Sequence, residues 1–141
     1  MFHVRIKMLN SAYIVFPLKA SLNDIKEALI KSNSRFKDEE KLNWIVSIPP
    51  DRHVRLNIVD ITEYFDLEPD EMDALSQKLG EIGSFGIFVE MSSSEKEGKL
   101  AVEIVAKILD QVGGILIDQN GKYYSPAELT NLAFMQKGLY E

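Results

Sequence analysis

Apolar and polar residues alternate over residues 2–9, with Phe2, Val4, Ile6 and Met8 on one side and His3, Arg5 and Lys7 on the other. A period of two predicts a half-buried strand. Residues 12–18 (AYIVFPL) form a second β-prone run, and Asn10-Ser11 reads as a turn between the two. Pro17 confines the end of that run to a sheet edge or an exit, because proline has no N–H to give a ladder. The period then changes. Ser21 is placed to cap a helix over residues 22–32, where Leu22, Ile25, Ala28 and Leu29 make one stripe. Residues 33–40 are polar and charged and read as a loop.

Residues 42–48 (LNWIVSI) and 53–61 (HVRLNIVDI) read as strands joined by the turn sequence Pro49-Pro50-Asp51-Arg52, which predicts an antiparallel hairpin. Pro69 is suited to the first turn of a helix running to about residue 79, with Met72, Leu75 and Leu79 on one face and Gly80 and Gly83 closing it. A buried strand follows over residues 85–91. The longest helix is expected over residues 96–112, where Leu100, Ile104, Ile108 and Val112 share a face widened by Val105 and Leu109. Gly113-Gly114 ends it. Asn120-Gly121, flanked by short strands at 115–118 and 122–124, is a hairpin signal. Ser125-Pro126-Ala127-Glu128 is a capping box that opens a last helix reaching about residue 137.

The predicted class is α+β: a mainly antiparallel sheet with helices packed on it. The order β-α-β-β-α-β over residues 12–91 suggests a ferredoxin-like core with a C-terminal α-β-β-α extension. A length of 141 residues suits a single domain over residues 1–141. With no cysteine, no disulfide framework, iron–sulfur cluster or thiolate zinc site is possible. The apolar stretch near the start is interrupted by Asn10, Ser11, Pro17 and Lys19, unlike the continuous core of a signal peptide. No window has the apolar length of a membrane span. A cytoplasmic location is expected.

Charge changes the picture most. The net charge is −6, which disfavours binding to phosphate backbones and so argues against nucleic acid as a partner. It is also localised: Asp60, Glu63, Asp66, Glu68, Asp70, Glu71 and Asp73 form a run without a lysine or arginine among them. With Tyr64 and Phe65 embedded in it, the run is a candidate docking surface for a basic protein. The partner-binding residues expected are Asp60, Glu63, Tyr64, Asp66, Glu68, Asp70, Glu71 and Asp73. An ordinary account competes with this one, since Asp70, Glu71 and Asp73 sit where a helix start favours acids anyway.

Catalytic patterns are not found. An EF-hand frame from Asp66 puts Glu71 where glycine belongs and Gln77 where glutamate belongs. Gly98-Lys99 has Ser93 in place of the phosphate-loop glycine and Leu100 in place of the hydroxyl residue. Gly80, Gly83 and Gly86 follow a helix and lead into a strand, the reverse of a dinucleotide fingerprint. His3 and His53 have no metal-ligating spacing, and Asp118 with Glu90 is a candidate carboxylate pair of undefined separation. Asp118 is also explained as the residue opening the hairpin turn. Trp44 reads as a core residue or, alternatively, an exposed anchor. No cofactor or metal is expected.

The closing stretch, Gly113-Gly114-Ile115-Leu116-Ile117-Asp118 through Tyr123, Ser125, Pro126 and Glu128, resembles small bacterial immunity proteins of contact-dependent inhibition and polymorphic toxin systems. That resemblance implies a small, acidic, cytoplasmic protein that binds and blocks one cognate toxin domain, often a basic nuclease, without chemistry of its own. Such proteins share no binding motif, so no residue role carries over. The alternative expectation is a ferredoxin-like regulatory domain that binds a small molecule.

Overall fold

A computed structural model describes residues 10–31, 36–38, 43–48, 52–65, 67–91 and 95–139. The strand expected over residues 2–9, and His3 within it, lie outside the described residues. Among those described, β1 (Asn10–Pro17), β2 (Phe36–Asp38), β3 (Asn43–Ile48), β4 (Arg52–Asp60), β5 (Ile82–Met91), β6 (Ile115–Asp118) and β7 (Tyr123–Tyr124) form one seven-stranded sheet in the order β2-β3-β4-β5-β1-β6-β7. Every pairing is antiparallel. The helices are α1 (Leu22–Lys31), α2 (Ile61–Tyr64), α3 (Pro69–Leu79), α4 (Glu95–Val112) and α5 (Pro126–Phe134).

The α+β class holds, but the strand order departs from the ferredoxin-like one. In that arrangement β1 would lie between β4 and β5, and both crossover helices would cover one face. Here β4 pairs directly with β5, and β1 lies beyond β5. The physical reason is which face each helix covers. Alternation along the strands sends Ala12, Ile14, Phe16, Val54, Leu56, Ile58, Ile87, Val89 and Leu116 to one face, where they pack with Ile25 and Leu29 of α1, the apolar stripe of α4, and Leu129 of α5. The intervening residues Val15, Val59, Ile115 and Ile117 face the other side and pack with Ile61, Phe65 and Leu75 from the β4–β5 connection. That connection therefore rides over the second face and returns beside its own strand, with no crossover.

Local differences have similar causes. Asn10 and Ser11 are strand residues rather than a turn, paired with Met91 and Glu90. Gln119 adds a side-chain clasp there, its Nε2 donating to Asn10 Oδ1 at 3.2 Å and its Oε1 accepting the Ser11 N–H at 3.3 Å. Pro17 does stand at an exit, where the β1–β5 register shifts. The stretch expected as a loop over 33–40 contains β2, which pairs with β3. Residues 43–48 and 52–60 make the expected hairpin, in register from Asn43 opposite Asn57 to Ile48 opposite Arg52.

Gly80 ends α3, but Gly83 belongs to β5, which begins at Ile82 rather than residue 85. The Ser125–Glu128 capping box is formed in both directions, at 3.2 Å each way. The last helix stops at Phe134, not near 137, and the chain turns through Gln136 at φ 56°. Gly138-Leu139 then docks on α4: Leu139 is buried, and its N–H donates to the Gly98 carbonyl at 3.3 Å.

Candidate functional site

The acidic segment is built by the β4–β5 connection, and the structure divides its residues by task. Asp60 ends β4 and caps α2. Its Oδ1 accepts the Thr62 N–H at 2.9 Å and the Thr62 hydroxyl at 2.6 Å, and those bonds hold its carboxyl below the usual range, the hydroxyl acting most. Glu71 is the second committed acid: its Oε1 accepts the Glu68 N–H at 3.2 Å, closing the start of α3. Glu63, Glu68, Asp70 and Asp73 are exposed. Asp66 and the side chain of Tyr64 lie outside the described residues.

Phe65 is not an interface anchor. The residue is 7% exposed and its ring stacks on Tyr13 with centroids 4.3 Å apart, so it pins the connection to the sheet. Leu75 is the fully buried side chain of α3. A helix held by so narrow a contact turns its acids outward, and that leaves a surface of carboxylates over the second face of the sheet.

The cleft beside this surface was invisible in the sequence. It has a volume of ≈ 290 Å³ and lies between Lys78 and Leu79 at the end of α3, Ile115 of β6, Tyr123 of β7, and Pro126 and Glu128 of α5. Lys78 Nζ stands over the Tyr123 ring, 5.9 Å from its centroid. Burial, then the negative charges of Glu71 and Asp70, push the Tyr123 phenol above its usual pKa. Burial and then Glu71 do the same to Tyr13. The acidic run and the tyrosines are thus electrostatic neighbours, although some 50 residues separate them in the chain. No motif marks such a juxtaposition; the only sequence signal was the Asn120-Gly121 hairpin that turns Tyr123 back onto the sheet.

Asp118 opens that hairpin. It is 6% exposed and fully occupied: Oδ1 accepts the N–H groups of Asn120 at 2.9 Å and Lys122 at 3.0 Å, and Oδ2 accepts the Tyr124 hydroxyl at 3.3 Å. It forms no carboxylate pair with Glu90. Glu90 stands opposite Ser11 and Asp118 opposite Ala12, and neighbouring positions on β1 point to opposite faces of the sheet. His53 lies in β4, and Trp44 in β3, their side chains outside the described residues. Among the described residues no group of three or more His, Cys, Asp or Glu side chains is placed to hold a metal ion, and no helix is long and apolar enough to cross a membrane.

A second cleft, of ≈ 510 Å³, runs between α1 and the end of α4, lined by Lys19, Asp24, Glu27, Lys31 and Gln111 among others. Its charges alternate in sign and give it no preferred occupant. Compared with known protein families and with curated proteins, the chain matches none.

Proposed function

We propose that this chain is a non-enzymatic binding protein that acts in the cytoplasm and neutralises a basic protein partner, as an immunity protein blocks its toxin domain. The observation that carries this reading is the group Glu63, Glu68, Asp70 and Asp73, exposed on α2, α3 and their junction with no lysine or arginine between residues 60 and 73. Like charges gathered on one surface raise its potential and lower the stability of the fold that bears them. They speed encounter with a partner of opposite sign and disfavour others. The partner would be blocked by cover and by charge, with no bond made or broken. The resemblance of residues 113–128 to immunity proteins points the same way.

The test is capture of partners by the tagged chain from its native lysate at low and high salt, compared with a variant carrying Glu63→Gln, Asp70→Asn and Asp73→Asn. These side chains hold no cap in the fold, so the variant keeps the structure and loses the field. One basic polypeptide, released by salt, is expected, with association slowed about tenfold in the variant. An unchanged affinity and unchanged salt dependence in the variant would refute the reading.

A further inference from the structure

The cleft between α3 and the β7–α5 corner combines three kinds of wall. Leu79, Ile115 and Pro126 are apolar, Tyr123 offers an aromatic surface, and Glu128 contributes a carboxylate. Asp70 and Glu71 lie close enough for their charges to act on Tyr123. Each wall suits a different part of one kind of group. An aliphatic stem packs on the apolar residues. A cationic head is attracted to the ring and to the carboxylates. An anion meets the Glu128 carboxylate and the nearby charges of Asp70 and Glu71, offset only in part by the Lys78 ammonium that also lines the cleft, and a purely apolar ligand makes no use of any of them.

Lys78 reinforces the point, because the chain already sets its own ammonium over the Tyr123 ring, at 5.9 Å from the centroid. That distance is near the outer limit of an effective cation–π contact, about 6 Å, so the ring is occupied loosely. A planar guanidinium, which stacks on an aromatic face and is weakly hydrated, competes for it better than a lysine does. At ≈ 290 Å³ the space is at the small end of ligand cavities, roughly 300–1,000 Å³, and accommodates one long side chain. From these features we infer that the cleft receives an arginine side chain of the basic protein partner, its guanidinium against Tyr123 and its stem along Leu79, Ile115 and Pro126. The source of that arginine rests on the proposed function; the chemistry of the cleft does not.

The experiment titrates N-acetyl-arginine amide into the full chain and follows the backbone amides of residues 78–79, 114–115, 123–125 and 127–128 by NMR. Saturable shifts confined to those amides are expected, with N-acetyl-leucine amide producing none. Lys78→Met removes the competing cation and tightens binding about two- to fivefold, Tyr123→Leu weakens it by a similar factor, and Tyr123→Phe retains it. No shift at these amides, equal binding of the leucine compound, or an unchanged affinity in Lys78→Met would overturn the inference. Lys78→Met is a surface change, so its outcome stands even if Tyr123→Leu misfolds. Where the arginine compound binds as described and the captured partner ignores Glu63, Asp70 and Asp73, the cleft assignment stands and the acidic-surface reading fails. Where the partner depends on those acids and is indifferent to Tyr123→Leu and Lys78→Met, the reverse holds.

Discussion

A methyl group added at Gly86 would lie 2.5 Å from the Ile14 carbonyl oxygen and 2.8 Å from the Phe65 ring. The carbonyl belongs to a central strand and has no room to withdraw. Gly86→Ala is therefore expected to cost about 1–3 kcal/mol, by denaturant unfolding, and to lift Phe65 from its place on Tyr13. Phe65→Ala empties the same space and is expected to cost about 3–5 kcal/mol. Because the two changes share one contact, the double variant should lose less than the sum of the singles; strict additivity would mean that the ring does not rest on the glycine. Tyr13 adds a pH dependence. Burial, aided by Glu71, raises its pKa above the ordinary 10.0, so the unfolded chain ionises first. The stabilisation it gives is present in full below about pH 10 and is lost as pH rises through the folded value. Tyr13→Phe keeps the ring and should make stability fall less steeply on the alkaline side.

Among the elements, α3 and α4 are held very differently. α4 buries Leu100, Ala101, Val102, Ile104, Val105, Ala106, Ile108 and Leu109, whereas α3 buries Leu75. Amide hydrogen exchange should accordingly find α3 opening well before α4, since regions with few buried apolar contacts open sub-globally. Equal protection of the two helices would contradict this picture. Gly98 poses the opposite problem. Glycine inside a helix ordinarily costs about 1 kcal/mol relative to alanine, which makes Gly98→Ala an obvious stabilising change. In this fold the added carbon would collide with the Leu139 carbonyl oxygen. Displacing Leu139 exposes a buried side chain, at a cost of about 1.5–3 kcal/mol, and that exceeds the helical gain. Gly98→Ala should therefore lower Tm, and removal of residues 138–141 should cancel most of the difference between alanine and glycine.

Across the whole molecule, the acids of residues 60–73 repel one another within a chain of net charge −6. Salt screens exposed charges over a Debye length of about 10 Å at 0.1 M, so raising sodium chloride from low to moderate concentration should raise Tm by a few degrees. The Glu63, Asp70 and Asp73 neutral variant should show a smaller rise. A Tm indifferent to salt in both proteins would mean that the acids are too well solvated to strain the fold. The longer elements were legible in the sequence because each rests on neighbours in the chain: the period of three to four behind α1 and α4, Pro69 and Gly80 bounding α3, Ser125 with Glu128 at the start of α5, and alternation in β4. β2 and α2, at three and four residues, are too short to show a period and were not. The α+β class followed from them, and so did the local crowding of acids, which is a property of composition. Strand order did not follow. Alternation states that a strand has two faces without saying which helix covers either, and both faces here are apolar enough to be covered. Only packing decided that α1, α4 and α5 take one face and the β4–β5 connection the other, and that choice placed β5 between β4 and β1. The same decision turned Phe65 inward and brought Lys78 to Tyr123. Contacts between distant residues depend on how whole surfaces fit together, and no local pattern records that fit.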